Sequence, residues 1–190
     1  MNYTLLGILI ALCVLLMILE RLGLPTTLQL QLKGDIKRET RWLAQYGQAV
    51  SALVASALVW ELDPDRERRT HAVLALLVAT IGAAILGMLI KRLTGRIRPG
   101  RENAGQFTGP SLSHANWRES FPSNHTASAL AMSVVLATFY PAAAITFWTL
   151  GIVCGVLRYI MDAHWPSDVM GGALLGYAMA WGVLHVMHLM

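Results

Sequence analysis

The chain has 190 residues, of which 55% are hydrophobic and 14% are charged, and its mean hydropathy is +0.52. A soluble domain carries about 25% charged residues, so this composition excludes an ordinary soluble globular protein and predicts a single integral-membrane domain over residues 1–190. The net charge of +4 comes from Lys and Arg in the connecting segments, which favours anionic membrane lipids or phosphate groups as partners and argues against nucleic acid.

Four apolar runs predict membrane-spanning helices. A transmembrane helix needs about 17–25 mainly apolar residues, and residues 1–19, 43–60, 72–90 and 169–190 meet this requirement. The first run lacks a basic leader and a small-residue cleavage site, so we expect it to be a retained span and not a signal peptide.

A further uncharged run, the 32 residues from Thr126 to Leu157, is too long for one straight helix. Pro141 lies near its middle and disfavours the helical conformation in the residue before it, so we predict two short helices joined by a tight turn. Backbone groups in lipid must form their hydrogen bonds internally. The predicted fold is therefore all-α, a bundle of six transmembrane helices with a juxtamembrane active site.

The first connection, residues 20–42, has a pattern of its own. Apolar residues recur there every four positions, at Leu24, Leu28, Leu32 and Ile36. Basic residues recur with the same spacing on another side, at Lys33, Lys37 and Arg41. This pattern predicts an amphipathic helix in the headgroup plane. A solvated loop with chance spacing is the alternative.

Three short polar motifs interrupt the apolar chain at residues 91–99, 121–125 and 158–168. With six spans, the connections that carry them all lie on the same face of the membrane. Together they gather permanent cations, two imidazoles, a hydroxyl and a carboxylate, which is a suitable set of groups for binding and attacking a phosphate.

The first motif contains Lys91, Arg98 and Pro99. The two cations are seven residues apart, so a helical continuation places them on roughly one face. An arginine offers a planar fork of donors to phosphate oxygens and a lysine offers a compact charge. Snorkelling of cations at the end of a span is the alternative.

The second motif contains Ser123, Asn124 and His125, which come directly before an apolar run and are predicted to open a helix. Ser and Asn are favourable N-cap residues, and the free N–H groups at a helix N-terminus form an anion site. Capping alone would explain Ser123 and Asn124 if His125 had no role.

The third motif contains Arg158, His164 and Asp168. A carboxylate four residues after a histidine can fix the tautomer of the imidazole and stabilise its cation, which makes the histidine a stronger nucleophile. Arg158 follows a long apolar stretch, where a charge is costly. The alternative is an interfacial cluster of ion pairs.

In this order and spacing, the motifs resemble those of the type 2 phosphatidic acid phosphatase superfamily, whose pattern is K-x6-RP, then PSGH, then SR-x5-H-x3-D. The matching residues are Lys91, Arg98 and Pro99, then Pro122, Ser123 and His125, then Arg158, His164 and Asp168. The chain departs from the pattern twice, with Asn124 in place of Gly and Leu157 in place of Ser.

The resemblance implies a role for each residue. His164 would attack phosphorus and form a phosphohistidine, Asp168 would orient it, and His125 would protonate the leaving oxygen. The phosphoryl oxygens would be held by Lys91, Arg98, Ser123, Asn124 and Arg158. Water would then hydrolyse the intermediate, and neither a metal ion nor another cofactor would take part.

The implied activity is that of a membrane lipid phosphatase. Undecaprenyl diphosphate is the favoured substrate, because short bacterial members of the family that the chain resembles often act on it. Phosphatidic acid, phosphatidylglycerophosphate and a lipid A phosphate remain alternatives, because each joins an anionic headgroup to an apolar tail. A vanadate-dependent haloperoxidase shares the motifs, but six spans argue against it. A non-catalytic membrane transporter or binding protein with a degenerate site is the alternative of another class.

Charge and resemblance disagree about orientation. The face with the motifs carries twelve of the 15 Lys and Arg residues, which places it in the cytoplasm by the positive-inside rule. Bacterial membrane proteins of the family that it resembles usually have the site on the outer face of the inner membrane, and several of the cations here would be substrate ligands. We therefore expect a periplasmic site.

Overall fold

The computed structural model describes residues 3–24, 26–28, 30, 32–113 and 115–189, and over these residues the secondary structure is helical apart from one isolated β-bridge between Arg96 and Phe107. The α-helices are α1 (Tyr3–Arg21), α2 (Gly34–Leu43), α3 (Ala49–Leu62), α4 (Arg66–Thr94), α5 (Asn124–Phe139), α6 (Ala144–Ile160) and α7 (Pro166–Val186). The predicted all-α fold is thus confirmed.

Helix α5 is the central element of the bundle. It packs against α4, α6 and α7, and every residue from Thr126 to Leu136 is buried. Helix α7 can come close to α5 because it has glycines at the contact. A Cβ at Gly172 or Gly176 would overlap the backbone at Ser123 or Ala127. Small residues allow this kind of close backbone approach between membrane helices. This packing fixes the first turn of α5, which carries the second motif, against the start of α7.

Helices occupy all six places where spans are predicted. Four of them, in segments Tyr3–Arg21, Arg66–Thr94, Pro141–Ile160 and Pro166–Val186, are long and apolar enough to cross a membrane, and the pair Gly34–Gly47 and Ala49–Leu62, bent by 60°, would be a fifth span. Helix α5 has 16 residues, so the count of six spans stays a prediction. Positions 1, 2 and 190 of the predicted spans lie outside the described residues.

The predicted break at Pro141 is confirmed, because α5 ends at Phe139 and a turn at Pro141–Ala143 leads into α6. The helix predicted for the first connection is present only over Gly34–Leu43. Its proposed apolar stripe starts earlier, at Leu24, which follows α1 and is not helical.

The helical continuation predicted from Lys91 to Arg98 is wrong. Helix α4 ends at Thr94, and Gly95 adopts the left-handed conformation with φ of 58° while its N–H donates to the carbonyl of Lys91. Glycine populates this conformation without a steric penalty and commonly ends helices in this way. Arg98 therefore lies in a loop that folds back over the bundle, and its N–H donates to the carbonyl of Trp117.

At the other end of α4, Asp63 joins the turn before α4 to the end of α5. Both of its oxygens accept from the Arg68 guanidinium, at 2.6 and 2.7 Å, and Tyr140 Oη donates to it at 2.8 Å. The hydrogen bonds from Arg68 hold the pKa of Asp63 well below its usual range.

We expect Asp63→Asn to lower the midpoint of thermal unfolding in detergent at pH 7, because the ion pair with Arg68 is lost. A carboxyl with a depressed folded pKa stabilises the protein above its unfolded pKa of about 3.9, and this stabilisation fades as the pH falls towards the folded pKa. The difference from wild type should therefore shrink below about pH 4. Glu67→Gln, at an exposed position, is the matched control, and equal midpoints for both variants at pH 7 would contradict this role of Asp63.

Candidate active site

The three sequence motifs meet at one end of the bundle, where α4 ends and α5 and α7 begin. The positive charges of Lys91 and Arg98 lie close enough to His164 to disfavour protonation of its ring. Together with Arg158, the same two cations disfavour protonation of the His125 ring. The structure therefore brings the cations and imidazoles of all three motifs close enough together for their charges to interact.

His164 lies between α6 and α7 and is 2% exposed. Its Nδ1 is 2.8 Å from the carbonyl oxygen of Ser120, which can only accept, so Nδ1 carries the proton and Nε2 keeps a free lone pair. Burial lowers the pKa of His164 to about 3, the charges of Lys91 and Arg98 act in the same direction, and Asp168 opposes them. The imidazole is thus neutral near pH 7, as a nucleophile must be.

Asp168 is fully buried and surrounded by donors. Its Oδ2 accepts from Ser120 Oγ at 2.5 Å and from the N–H of Trp165 at 2.9 Å, and its Oδ1 accepts from Arg96 Nη1 at 2.6 Å. The carboxylate is 3.6 Å from His164 Nδ1. The backbone of Ser120 is therefore the hydrogen-bonding partner of the imidazole, while Asp168 acts on it through the electric field at short range.

Arg96, like Ser120 and Glu20, is a residue of this region that the sequence analysis missed. It is 2% exposed, and besides Asp168 it binds Ser167 Oγ and Glu20 Oε2, each at 2.6 Å. Glu20, at the end of α1, also accepts from the N–H and the hydroxyl of Ser167. One buried guanidinium thus holds two carboxylates and connects α1 to the start of α7.

The cations of the first motif are held by backbone carbonyls. Lys91 Nζ donates to the carbonyls of Glu119 and Ser120. Arg98 donates to the carbonyl of Glu119 at 3.4 Å and to that of Ala163, the residue before His164, at 3.3 Å. Burial lowers the pKa of Arg98, but a guanidinium stays charged in proteins. These contacts bring both cations close to the imidazole.

Ser123 and Asn124 are turned towards helix contacts. Ser123 is fully buried, its N–H donates to the carbonyl of Asp168 at 2.9 Å, and its Oγ accepts from Thr126. The Asn124 side chain points to α4, where Nδ2 donates to the carbonyl of Ala84 at 3.2 Å. A phosphate role for these two residues stays a prediction, and for Asn124 it involves the N–H groups of the first turn of α5 and not the amide side chain.

The Asn124 side chain has room because α4 has a glycine opposite it. A Cβ at Gly87 would overlap Asn124 Oδ1. The next residue, His125, is half-buried, and its Nε2 is 3.4 Å from Gln48 Nε2, which comes before α3. Asn124 in place of the Gly of the family pattern therefore does not fill the region around the His125 ring.

Within the described part of the chain, no group of three or more His, Cys, Asp and Glu side chains could hold a metal ion. The positive charge in the site is supplied by Lys and Arg side chains. Metal independence of the reaction stays a prediction.

Comparisons with known proteins agree with this geometry. The model of the PAP2 superfamily matches residues 72–189, which include all three motifs. A lipid A 1-phosphatase of Rhizobium johnstonii is 34% identical over 112 residues, which are 54% of this chain and 46% of that protein. An undecaprenyl-diphosphatase of Sulfolobus acidocaldarius is 30% identical over 141 residues, 71% of this chain and 63% of that protein. The match to the lipid A 1-phosphatase thus spans less than half of that protein.

One solved structure has the same fold over nearly the whole chain. It is the transmembrane PAP2-type phosphatidylglycerolphosphate phosphatase of Bacillus subtilis, with a TM-score of 0.58 and 14% sequence identity, covering 97% of this chain and 96% of that one. Together with the apolar helices, this likeness shows an integral-membrane fold. The chain belongs to the PAP2 superfamily.

Proposed function

We propose that the protein is a membrane lipid phosphatase that works through a phosphohistidine on His164. The observation that carries the proposal is the environment of this imidazole: it is buried, it is hydrogen-bonded through Nδ1 to the Ser120 carbonyl, and its pKa is lowered by burial and by the charges of Lys91 and Arg98. Such an arrangement leaves Nε2 as the nucleophile and supplies cations for the phosphoryl oxygens.

The reaction has two steps. Nε2 of His164 forms a bond to phosphorus as the bond between phosphorus and the leaving oxygen breaks, and a proton from His125 goes to that oxygen. The imidazole becomes positively charged in this step, and the buried carboxylate of Asp168, 3.6 Å from Nδ1, stabilises it. Water then attacks phosphorus as the bond between phosphorus and Nε2 breaks, and His125 takes a proton from the water. Free phosphate is released, and neutral His164 and protonated His125 are restored.

The general acid has its own test. We expect His125→Ala to lower kcat/KM for a lipid phosphate by about 10²–10⁴-fold. An aryl phosphate with an acidic leaving group should lose much less, because its leaving oxygen needs no proton. Gln48→Ala, which removes the neighbour of the ring, controls for local disturbance. Equal losses for both substrates would contradict a leaving-group role for His125.

The proposed substrate is undecaprenyl diphosphate, with lipid A 1-phosphate, phosphatidylglycerophosphate and phosphatidic acid as alternatives. The similarity to proteins named undecaprenyl-diphosphatase and lipid A 1-phosphatase supports the first two of these lipids. We propose the inner membrane of a bacterium as the location and its periplasmic face as the side of the site. Phosphate release from each of these lipids by the purified protein, with and without excess EDTA, tests both activity and metal independence. Release from none of them would leave a non-catalytic membrane protein as the better description.

A further inference from the structure

A cavity of about 580 Å³ lies beside the candidate site. It is bordered by α2, by the loop after Arg98 and by the connection between α6 and α7. It reaches the site at Arg158 and at Ala163, whose carbonyl accepts from Arg98. The lining residues include Lys37, Arg41, Pro99, Arg158, Asp162 and Ala163.

The charges around this cavity are unbalanced. Lys37, Arg41 and Arg158 line it against the single carboxylate of Asp162, as far as the described residues go. The positive charge of Arg41 repels that of Arg158. The buried Nε of Arg158 has no hydrogen-bond partner among the described residues. Cations brought together in this way favour an anion between them.

Helix α2 separates its basic residues into two kinds. Arg38 is paired with acids of its own helix, with Asp35 at 3.0 Å and with Glu39 at 3.5 Å. Lys37 and Arg41 face the cavity, and no described carboxylate forms an ion pair with either of them. The first motif and the third motif account for Arg98 and Arg158, whereas Lys37 and Arg41 belong to neither.

We propose that this cavity is a second phosphate subsite, which binds a phosphate group of the substrate other than the one that is released. The inference rests on the proposed function and narrows it to headgroups with two phosphates. Arg158 lies between the two subsites, because it belongs to the third motif and also lines the cavity. The volume suits such a headgroup, since small-molecule sites measure about 300–1,000 Å³.

The first experiment compares two lipids with the same tail, a monophosphate and a diphosphate, in neutral detergent micelles. Lys37→Gln and Arg41→Gln should each lower the ratio of kcat/KM for the diphosphate to kcat/KM for the monophosphate by about tenfold, since each removes a charge-assisted contact to the second phosphate. Arg38→Gln is the matched control on the same helix and should keep the wild-type ratio. A ratio that stays at the wild-type value in Lys37→Gln and Arg41→Gln contradicts a substrate phosphate in the cavity.

A second arm identifies the source of the phosphate, because an anionic headgroup of a neighbouring lipid has the same chemistry. Hydrolysis of the monophosphate is measured in phosphatidylcholine vesicles with and without phosphatidylglycerol. If phosphatidylglycerol activates the wild type but not Arg41→Gln, and the ratio in micelles is unchanged, the cavity binds a membrane lipid and the proposed substrate phosphate is ruled out.

A binding measurement separates this inference from the proposed function. Calorimetric titration with methylenediphosphonate, which is not hydrolysed, needs no turnover. The wild type should bind it more tightly than orthophosphate, and Arg41→Gln should lose about tenfold of that preference. A wild type that hydrolyses no lipid but shows this preference loses the proposed function and keeps the subsite. Active protein without any preference overturns the subsite alone.

Discussion

Replacing His164 with alanine is expected to reduce phosphate release by about 10⁴-fold or more, because the covalent step of the proposed mechanism needs Nε2 of this ring. The change removes a buried ring and its hydrogen bond to the Ser120 carbonyl, so some loss of stability is expected as well. His164→Asn keeps a donor for that carbonyl and should be nearly as inactive. The measurement is the initial rate of phosphate release for protein of verified thermal stability in detergent.

The proposed covalent intermediate gives a more direct test of the role of His164. With ³²P-labelled substrate, wild-type protein stopped by denaturation at alkaline pH, where a phosphoramidate bond survives, should carry label that is released by acid. Neither His164 variant should carry it. Label of the same acid lability on His164→Asn, or turnover close to that of the wild type, would rule out His164 as the nucleophile.

Replacing Arg96 should have the second-largest effect, through the residues it holds in place. Arg96→Met leaves the carboxylates of Glu20 and Asp168 buried without their shared cation. Removing one partner from a buried ion pair costs about 3–5 kcal/mol. We expect a strongly destabilised protein with a lower kcat and a smaller change in KM, because in the proposed mechanism Asp168 acts on the imidazole and not on the lipid.

Two further variants keep this prediction testable if Arg96→Met does not fold. Glu20→Gln combined with Arg96→Met removes one of the unbalanced charges and should recover part of the lost stability. Arg96→Lys keeps the charge but not the two separate nitrogens that donate to Asp168 and Glu20, so it should be stable and still low in kcat. Wild-type kcat in Arg96→Lys together with full stability in the double variant would show that Arg96 has no positioning role.

The sequence predicts the parts of the site that depend on local spacing. His164 and Asp168 are one helical turn apart, and the proline between them suits the start of α7, so their closeness could be read directly. The same reasoning fails at Ser120 and Glu20. Ser120 contributes a backbone carbonyl and a hydroxyl from within a loop, and Glu20 reaches the site only because α1 packs on α7. Contacts of this kind depend on tertiary packing and have no period in the sequence.

Arg96 lies between these two cases. It stands within the first motif, two residues before Arg98. Snorkelling to the interface is a sufficient explanation for an arginine at the end of a span, so the sequence gives no reason to expect more of it. Its burial with two carboxylates could not be predicted without knowing that Gly95 ends α4 and turns the chain inward. The helices were easier to predict than the site, because apolar runs mark the spans and Pro141 marks the break between two of them. The 60° bend before α3 is an exception, because it left no clear signal in the composition.

The contact between Asn124 and Gly87 makes two distant positions depend on each other. In a chain with glycine at 124, position 87 could hold alanine, but with Asn124 present the added methyl group would overlap the amide. Gly87→Ala and Asn124→Gly should therefore be epistatic: the first is harmful alone and tolerated after the second. The order in which two such substitutions arise decides whether the intermediate chain folds, so the residue acceptable at position 124 depends on the residue that α4 carries opposite it.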